Sequence, residues 1–245
     1  MSVPVFIADP EALRAGDRVR LDGDEGRHAA VVRRIGVGER VDLTDGAGHV
    51  AQCVVSAADR TGITCDVESR ADVAPPAPRI VVVQALPKGE RGETAVETLT
   101  EVGVDEIVPW SAARCVTRWK GERGEKALRR WRSTSREAAK QSRRAWLPRV
   151  GELASSDAVA ARFETAALGV VLHEEASVPL TSVELPAAGD VVVAVGPEGG
   201  VSPEELESFT SAGAVAARLG PTVLRTSTAG TVAAGVLLSR TPRWP

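Results

Sequence analysis

The chain has 245 residues, 43% of them hydrophobic and 26% charged, which is typical of a folded globular protein with one large domain or two small ones. Its three cysteines form no CxxC pair and its three histidines lie far apart, so we expect no disulfide framework, no zinc ribbon and no metal site. No apolar run approaches the ~18 residues of a membrane span, and the first residues do not resemble a signal peptide. We therefore expect a cytoplasmic protein without membrane contact.

The net charge of −3 hides a strong separation of charge along the chain. Residues 114–149 contain 13 lysines and arginines against three glutamates, a local charge of +10, so the remaining residues carry −13. A basic stretch of this size is typical of a surface that binds nucleic-acid phosphates. For the charge run alone, a solvated and salt-bridged helix is the favoured interpretation.

Residues 1–73 predict a small, mostly β domain. Apolar strands at residues 41–43 and 50–55 flank residues 45–48, whose sequence Asp-Gly-Ala-Gly is typical of a hairpin connection. Asp24 can cap a short helix, since apolar residues recur at helical spacing after it. We expect a barrel-like β domain with one helix, a shape often used for binding.

A proline-rich linker at residues 74–79 separates this domain from residues 80–245, where strand and helix patterns alternate. The continuous apolar run at 80–85 is typical of a buried parallel strand. Further strands are predicted at 107–108, 168–172, 191–195 and 214–219, and helices at 91–102, 122–142, 203–212 and from residue 229 onwards. This alternation predicts an α/β domain with a largely parallel sheet.

Three loops directly follow strands of this predicted sheet. One is Gly-Pro-Glu-Gly-Gly at 196–200, one is Leu-Gly-Pro-Thr-Val-Leu-Arg at 219–225, and one begins at Leu172. Ligands of open α/β sheets bind beyond the carboxyl ends of the strands, and glycines let the backbone approach a ligand closely. Each loop alone could be an ordinary turn, but together they predict one ligand pocket lined by backbone groups.

The two glycine-proline loops look like the cofactor loops of SPOUT methyltransferases. Four further stretches narrow the resemblance: residues 85–89, 100–104, 114–116 and 131–150. With residues 28–34 and 45–46 of the N-terminal part, the whole chain resembles the 16S rRNA (uracil-1498-N3)-methyltransferase family. The resemblance implies a PUA-like β-barrel followed by a trefoil-knotted α/β domain.

The resemblance also implies a homodimer that uses S-adenosyl-L-methionine to methylate N3 of a uridine in small-subunit 16S rRNA, of the uridine-1498 type. Its partners would be 16S rRNA or the small ribosomal subunit. The cofactor-binding residues would be Leu172, His173, Glu174, Gly196, Pro197, Glu198, Gly199, Gly200, Leu219, Gly220, Val223 and Leu224. The RNA-binding residues would be Arg33, Arg34, Arg114, Arg118, Arg136, Lys140 and Arg143.

Methyl transfer to uracil N3 requires placement of donor and acceptor, loss of the N3 proton and stabilisation of the negative charge that grows on the ring. Arg225 is the first candidate for the stabilising group, although an anion anchor at the helix terminus is nearly as good an interpretation. Glu101 and Glu198 are candidates for the proton acceptor.

The small apolar stripe of Ala229, Ala233 and Val236 on the closing helix predicts the dimer contact. Two other functions stay open from the sequence: a SPOUT methyltransferase acting on another RNA or position, and a non-catalytic RNA-binding ribosome assembly factor.

Overall fold

The computed structural model describes residues 3–244, and the chain divides into two compact units. The N-terminal unit comprises Met1–Pro75 together with Ala139–Leu147, and the C-terminal unit comprises Pro76–Ala138 together with Pro148–Pro245. The sequence contains no signal for the return of residues 139–147 to the N-terminal unit.

The N-terminal unit is built on a five-stranded sheet. Its strands are β1 (Val5–Ile7), β2 (Arg18–Leu21), β3 (Arg40–Thr44), β4 (His49–Asp59) and β5 (Gly62–Asp72). They lie in the order β1-β3-β4-β5-β2, with β1 parallel to β3 and every other pair antiparallel. Two short helices, α1 (Pro10–Arg14) and α2 (Gly23–Arg27), flank the sheet, and a π-helical turn at His28–Val32 continues α2. The hairpin predicted around residues 45–48 and a short helix in this region are thus confirmed, but Asp24 does not cap the helix: α2 begins at Gly23, its N-cap position is Asp22, and Asp24 lies in the first turn.

Alternation along β3 separates the two faces of this sheet. Val41 and Leu43 are fully buried in the core, which they share with Phe6, Leu13 and other apolar residues. Asp42, between them, is only partly buried, because successive side chains of a strand point to opposite faces. Asp42 therefore places a carboxylate on the face of the sheet opposite the core.

Residues 139–147 are attached to the 45–48 hairpin by backbone hydrogen bonds. The Gly48 N–H donates to the Ala145 carbonyl at 3.0 Å, and the Leu147 N–H donates to the Gly46 carbonyl at 2.9 Å. The Trp146 indole Nε1–H donates to the Val73 carbonyl at 2.9 Å. Gly48 has a φ of +97°, and a Cβ there would lie 2.6 Å from the Trp146 ring, so only glycine allows this approach.

The C-terminal unit contains a seven-stranded sheet in which every paired strand is parallel. Its strands are β6 (Arg79–Ala85), β7 (Glu106–Trp110), β8 (Arg149–Val150), β9 (Leu168–Leu172), β10 (Val178–Pro179), β11 (Asp190–Val195) and β12 (Ala214–Arg218), in the order β10-β12-β9-β11-β6-β7-β8. Its helices are α3 (Arg91–Val102), α4 (Gly121–Gln141, whose last residues belong to the N-terminal unit), α5 (Ser156–Thr165), α6 (Pro203–Ser211) and α7 (Thr226–Leu238). The predicted parallel α/β domain is confirmed.

Helix α6 begins where the sequence predicts. The Ser202 side chain accepts from the Glu205 N–H, and the Glu205 carboxylate accepts from the Ser202 N–H, which is a complete capping box. The Glu205 carboxylate also accepts from the Ala113 N–H at 2.7 Å and from the Ser156 hydroxyl at 2.6 Å. This buried carboxylate therefore ties the start of α6 to the chain after β7.

The stripe on α7 that the sequence assigns to a dimer contact is partly wrong. Ala233 is fully buried within its own chain, in the core that α7 shares with α3. The small residues are needed because these two helices lie close together. The exposed apolar residue of α7 is instead Val232, with 40% of its surface accessible.

Over residues 3–244, no helix has both the length and the apolar character needed to cross a membrane. The same part of the chain contains no cluster of three or more histidine, cysteine, aspartate or glutamate side chains suited to a metal ion. The three cysteines are free and buried, and burial raises the pKa of the Cys53 thiol to about 12 and that of Cys65 to about 11. These thiols therefore stay protonated at neutral pH.

Candidate active site

The carboxyl ends of β12, β9 and β11 lie side by side in the sheet, and the loops that follow them line one cleft of about 440 Å³. The three loops that the sequence singles out are therefore brought together. The predicted residues that line the cleft are Leu172, His173, Glu174, Gly196, Pro197, Glu198, Gly200, Leu219, Gly220, Val223, Leu224 and Arg225. Gly199 is not among the lining residues.

Gly220 leaves room for a ligand at the wall of the cleft. A Cβ at this position would meet no heavy atom within 4 Å, and the backbone there is not left-handed. Gly220 is therefore not required by packing or by backbone conformation. Because Gly220 has no side chain, there is open space beside its backbone.

The 196–200 loop is fixed by contacts from two other segments. Glu198 accepts a hydrogen bond from the Lys88 N–H at 3.0 Å, and the Arg91 guanidinium lies 3.9 Å from the same carboxylate. The Arg114 guanidinium donates to the carbonyls of Gly199, at 3.1 Å, and Val201, at 3.4 Å. The loop thus has a defined shape before any ligand binds.

Arg225 stands at the start of α7, where the side chain is exposed and lines the cleft. Its carbonyl accepts the N–H groups of Thr228 and Ala229, so its backbone belongs to the first turn of the helix. The Gln84 amide, fully buried in β6, donates to the Thr226 carbonyl at 3.2 Å. Gln84 was not predicted, although a polar residue inside the apolar run at 80–85 is a signal that could have found it.

Glu101 does not reach the cleft. It lies in the last turn of α3, is exposed, and is absent from the residues that line the cleft. Of the two carboxylates predicted as proton acceptors, the structure places only Glu198 beside Arg225 in one cavity.

The predicted RNA-binding residues fall into two groups. Arg33, Arg34, Arg136 and Arg143 are exposed. Arg114 and Arg118 are also exposed but donate to backbone carbonyls: Arg118 binds those of Ala112 and Ala113 at 3.1 and 3.0 Å, and Arg114 binds the 196–200 loop. Arg114 thus holds the 196–200 loop of the cleft, whereas Arg118 holds the segment that follows β7.

Lys140, which the sequence predicts to bind RNA, is not exposed as that prediction requires. Its side chain is only 6% exposed, and its ammonium lies 3.1 Å from the Glu25 carboxylate and 3.3 Å from His28 Nδ1. The Phe6 ring lies 6.0 Å from the same ammonium. Helical spacing placed Lys140 with Arg136 and Arg143, but α4 ends at Gln141, and its last turn packs within the N-terminal unit.

The C-terminal unit has a parallel sheet whose strand-end loops form a cleft lined by backbone, and the chain adds a small β unit to it. This arrangement is typical of two-unit α/β proteins that bind a small ligand. Family comparison makes this specific. Residues 75–238 match the model of the RNA methyltransferase domain, and residues 21–68 match that of the RNA methyltransferase PUA domain. The chain belongs to the RNA methyltransferase family.

Individual relatives agree along nearly the whole chain. A Mycobacterium bovis protein named ribosomal RNA small subunit methyltransferase E is 51% identical over 91% of this chain and 87% of its own length. The Bacillus subtilis protein of the same name is 30% identical over 85% of each chain. A Legionella pneumophila methyltransferase, solved with bound S-adenosylmethionine, is 27% identical and superimposes with a TM-score of 0.85 over 98% of this chain and 99% of its own. The predicted family and fold class are confirmed.

Proposed function

We propose that this protein transfers a methyl group from S-adenosyl-L-methionine to N3 of a uridine in 16S rRNA of the small ribosomal subunit, of the uridine-1498 type. The observation that carries the proposal is the convergence of three strand-end loops into one cleft, in a chain 51% identical to a protein named small subunit rRNA methyltransferase. A substrate in the small subunit is consistent with action in the cytoplasm.

The cleft suits the cofactor. Its volume of about 440 Å³ lies within the range of small-molecule sites, and Gly220 leaves a space that any side chain would fill. The loops that begin at Leu172, Gly196 and Leu219 would hold the cofactor largely through backbone groups. S-adenosylmethionine supplies a methyl group already activated by the sulfonium, so the chain's own task is to orient the uracil and manage one proton.

We propose that Arg225 stabilises the uracil anion. A uracil that loses its N3 proton spreads negative charge onto its carbonyl oxygens, and a cationic donor fixed beside them lowers the energy of that state. The side chain of Arg225 is exposed at the cleft, whereas its backbone is held by the first turn of α7. Glu198, in the same cleft, is the carboxylate we propose as proton acceptor, directly or through a water.

Exposed arginines provide the contacts to the RNA backbone. Arg33 and Arg34 belong to the N-terminal unit, and Arg136 lies on α4. Guanidinium groups bind phosphates in a bidentate manner, so this binding falls steeply as the salt concentration rises.

We also propose that the active unit is a homodimer, formed through exposed apolar residues of the 219–225 loop, of α7 and of the C-terminal end. Val223 is 80% exposed and Leu224 36% exposed in the 219–225 loop, while Val232 follows on α7 and Trp244 is 44% exposed. Exposed apolar side chains of this kind favour burial against a second copy, and two of them, Val223 and Leu224, also line the cleft.

Mapping of the methylated atom tests the proposed function. The purified protein is incubated with S-adenosylmethionine and with either naked 16S rRNA or assembled small subunits from cells that lack the enzyme, and the digested RNA is analysed by mass spectrometry. We expect 3-methyluridine at one position, and no methyl uptake by RNA that already carries the modification. A methyl group on a ribose, on another base or on tRNA would contradict the target, and tight RNA binding without any product would support an assembly factor instead.

A further inference from the structure

The N-terminal unit contains a second cavity, of about 300 Å³, which the proposed methyl transfer does not use. Most of its lining side chains lie on the outer face of the sheet, although Ala51 belongs to the apolar core. Its lining residues all belong to the N-terminal unit and are Val5, Asp42, Val50, Ala51, Gln52, Ser69, Ala71, Arg143 and Arg144. We call it the barrel pocket.

Two rows of side chains, which the strand register aligns across β3, β4 and β5, form the floor of the barrel pocket. Asp42 of β3 lies opposite Gln52 of β4, which lies opposite Ser69 of β5. The Ser69 hydroxyl donates to Gln52 Oε1 at 2.9 Å, so this polar row is internally ordered. Val50 and Ala71, which are paired with each other, form a parallel apolar row. The floor therefore combines a flat apolar strip with hydrogen-bonding groups.

The segment 139–147 supplies two arginines to the pocket. Arg143 has a φ of +56°, a left-handed conformation that is uncommon for a residue other than glycine. Backbone bonds hold it there: the Arg143 N–H donates to the Lys140 carbonyl at 3.1 Å, and the Arg144 N–H donates to the Ala139 carbonyl at 2.9 Å. These two hydrogen bonds form the Schellman motif that ends α4, in which the residue after the C-cap adopts the left-handed conformation. The end of the helix therefore fixes the backbone from which the Arg143 side chain extends.

Asp42 and Arg143 are available to a ligand. Among residues 3–244, neither the Asp42 carboxylate nor the Arg143 guanidinium makes a hydrogen bond or an ion pair within 4 Å. Burial raises the pKa of the Asp42 carboxyl, while the charge of Arg143 acts in the opposite direction and only partly offsets it. The pocket thus combines a partly desolvated acceptor with a nearby planar donor.

We infer that the barrel pocket binds a guanine base. Guanine presents two adjacent donors, N1–H and N2–H, to which a carboxylate can bind with both oxygens, and two adjacent acceptors, O6 and N7, which are the usual bidentate partners of arginine. Adenine and cytosine would turn a ring-nitrogen lone pair toward the carboxylate, and uracil offers one donor between two carbonyl oxygens. The apolar strip of Val50 and Ala71 contacts the face of the ring.

The expected source of the guanine is an unpaired nucleotide of the RNA, so this inference rests on the proposed function. Proteins read single-stranded RNA by taking unstacked bases into pockets and binding their Watson–Crick and Hoogsteen edges. A free guanine nucleotide presents the same base and is the alternative source. The two sources differ in whether flanking nucleotides contribute to binding.

Binding of short RNAs without cofactor tests the inference. The full chain is titrated into fluorescent octaribonucleotides of uridine that carry one central guanosine, adenosine or inosine, and anisotropy is recorded. We expect the guanosine RNA to bind roughly 5- to 100-fold more tightly than the adenosine RNA, the range of one bidentate base contact. Inosine lacks the N2 amine, and its RNA should bind more weakly than the guanosine RNA.

The variant Asp42→Asn should bind guanosine and inosine RNAs equally, because its side chain no longer accepts both donors. Asp17→Asn is the matched control: it removes the same charge from a side chain that is fully exposed in the same unit, and its preference should be unchanged. Arg143→Gln provides a second test, since it should remove the difference between guanosine and 7-deazaguanosine, which lacks N7. Thermal unfolding verifies that each variant is folded.

A wild-type protein without guanosine preference, or a preference that persists in both Asp42→Asn and Arg143→Gln, would overturn the inference. Competition by free guanosine monophosphate at the dissociation constant of the RNA would overturn the RNA source, whereas weak competition supports it. Methyl transfer is assayed on the same preparations. Failure of methyl transfer with intact guanosine preference contradicts the proposed function, and the reverse result contradicts only the barrel pocket.

Discussion

The two cavities of this protein are built in different ways. The cleft of the C-terminal unit is made by three continuous loops that follow neighbouring strands, and most of what it offers is backbone. The barrel pocket is made by side chains that alternate along three strands and by a segment about a hundred residues later in the chain. A site made of continuous backbone loops leaves glycine-proline motifs in the sequence, whereas a site made of alternating side chains leaves no local motif.

This difference predicts that the cleft is sensitive to added volume at a glycine. Gly220→Val places three carbons in open space beside the backbone, so the free energy of unfolding should change by no more than about 0.5 kcal/mol. S-adenosylmethionine should bind roughly 100-fold more weakly, equivalent to about 3 kcal/mol, because the side chain occupies ligand volume. Isothermal calorimetry measures the affinity.

Gly16→Val is the control for Gly220→Val. Gly16 also has open space around its Cα and no left-handed backbone, but it lies in the N-terminal unit. Its variant should bind the cofactor normally. Wild-type affinity in Gly220→Val would show that the cofactor does not occupy this part of the cleft.

The barrel pocket, by contrast, should depend on the packing that holds residues 139–147 in place. Lys140→Met leaves the Glu25 carboxylate without its buried ammonium partner, and loss of one member of a buried pair costs about 3 kcal/mol. We expect that loss in urea unfolding of the N-terminal unit, together with loss of the guanosine preference, while cofactor affinity stays near normal.

Lys126→Met tests whether charge alone explains the result, since Lys126 is an exposed residue of the same helix. It should leave stability within about 0.5 kcal/mol of the wild type. A Lys140→Met protein of unchanged stability and weakened RNA binding would instead support the original prediction of a phosphate contact.

The features that could be predicted from the sequence are those made by residues close together in the chain, and the features that could not are those that depend on distant residues. Patterns within ten or so residues were sufficient for the 45–48 hairpin, the start of the helix at residue 203 and the three cleft loops. Helix α5 was missed because its buried residues are only Val159 and Phe163, too few to form a stripe. Lys140 was assigned to the wrong environment because its burial depends on Glu25 and Phe6, more than a hundred residues earlier, and no periodicity within α4 reports a distant partner.

The last test concerns two adjacent residues of α7, one exposed at the surface and the other buried in the core. Val232 is 40% exposed and Ala233 is fully buried, so the same charge has opposite consequences at the two positions. Val232→Glu should leave the protein folded and raise the dimer dissociation constant by at least roughly tenfold, since a carboxylate would be buried without a partner in the interface. Ala233→Glu should unfold the C-terminal unit, because the carboxylate would lie between α7 and α3.

Light scattering, which measures the oligomeric state, and circular dichroism, which measures folding, distinguish the results expected for Val232→Glu and Ala233→Glu. A Val232→Glu protein that remains a dimer would place the interface elsewhere, and a folded monomer with full methyl transfer would show that each chain completes its own site.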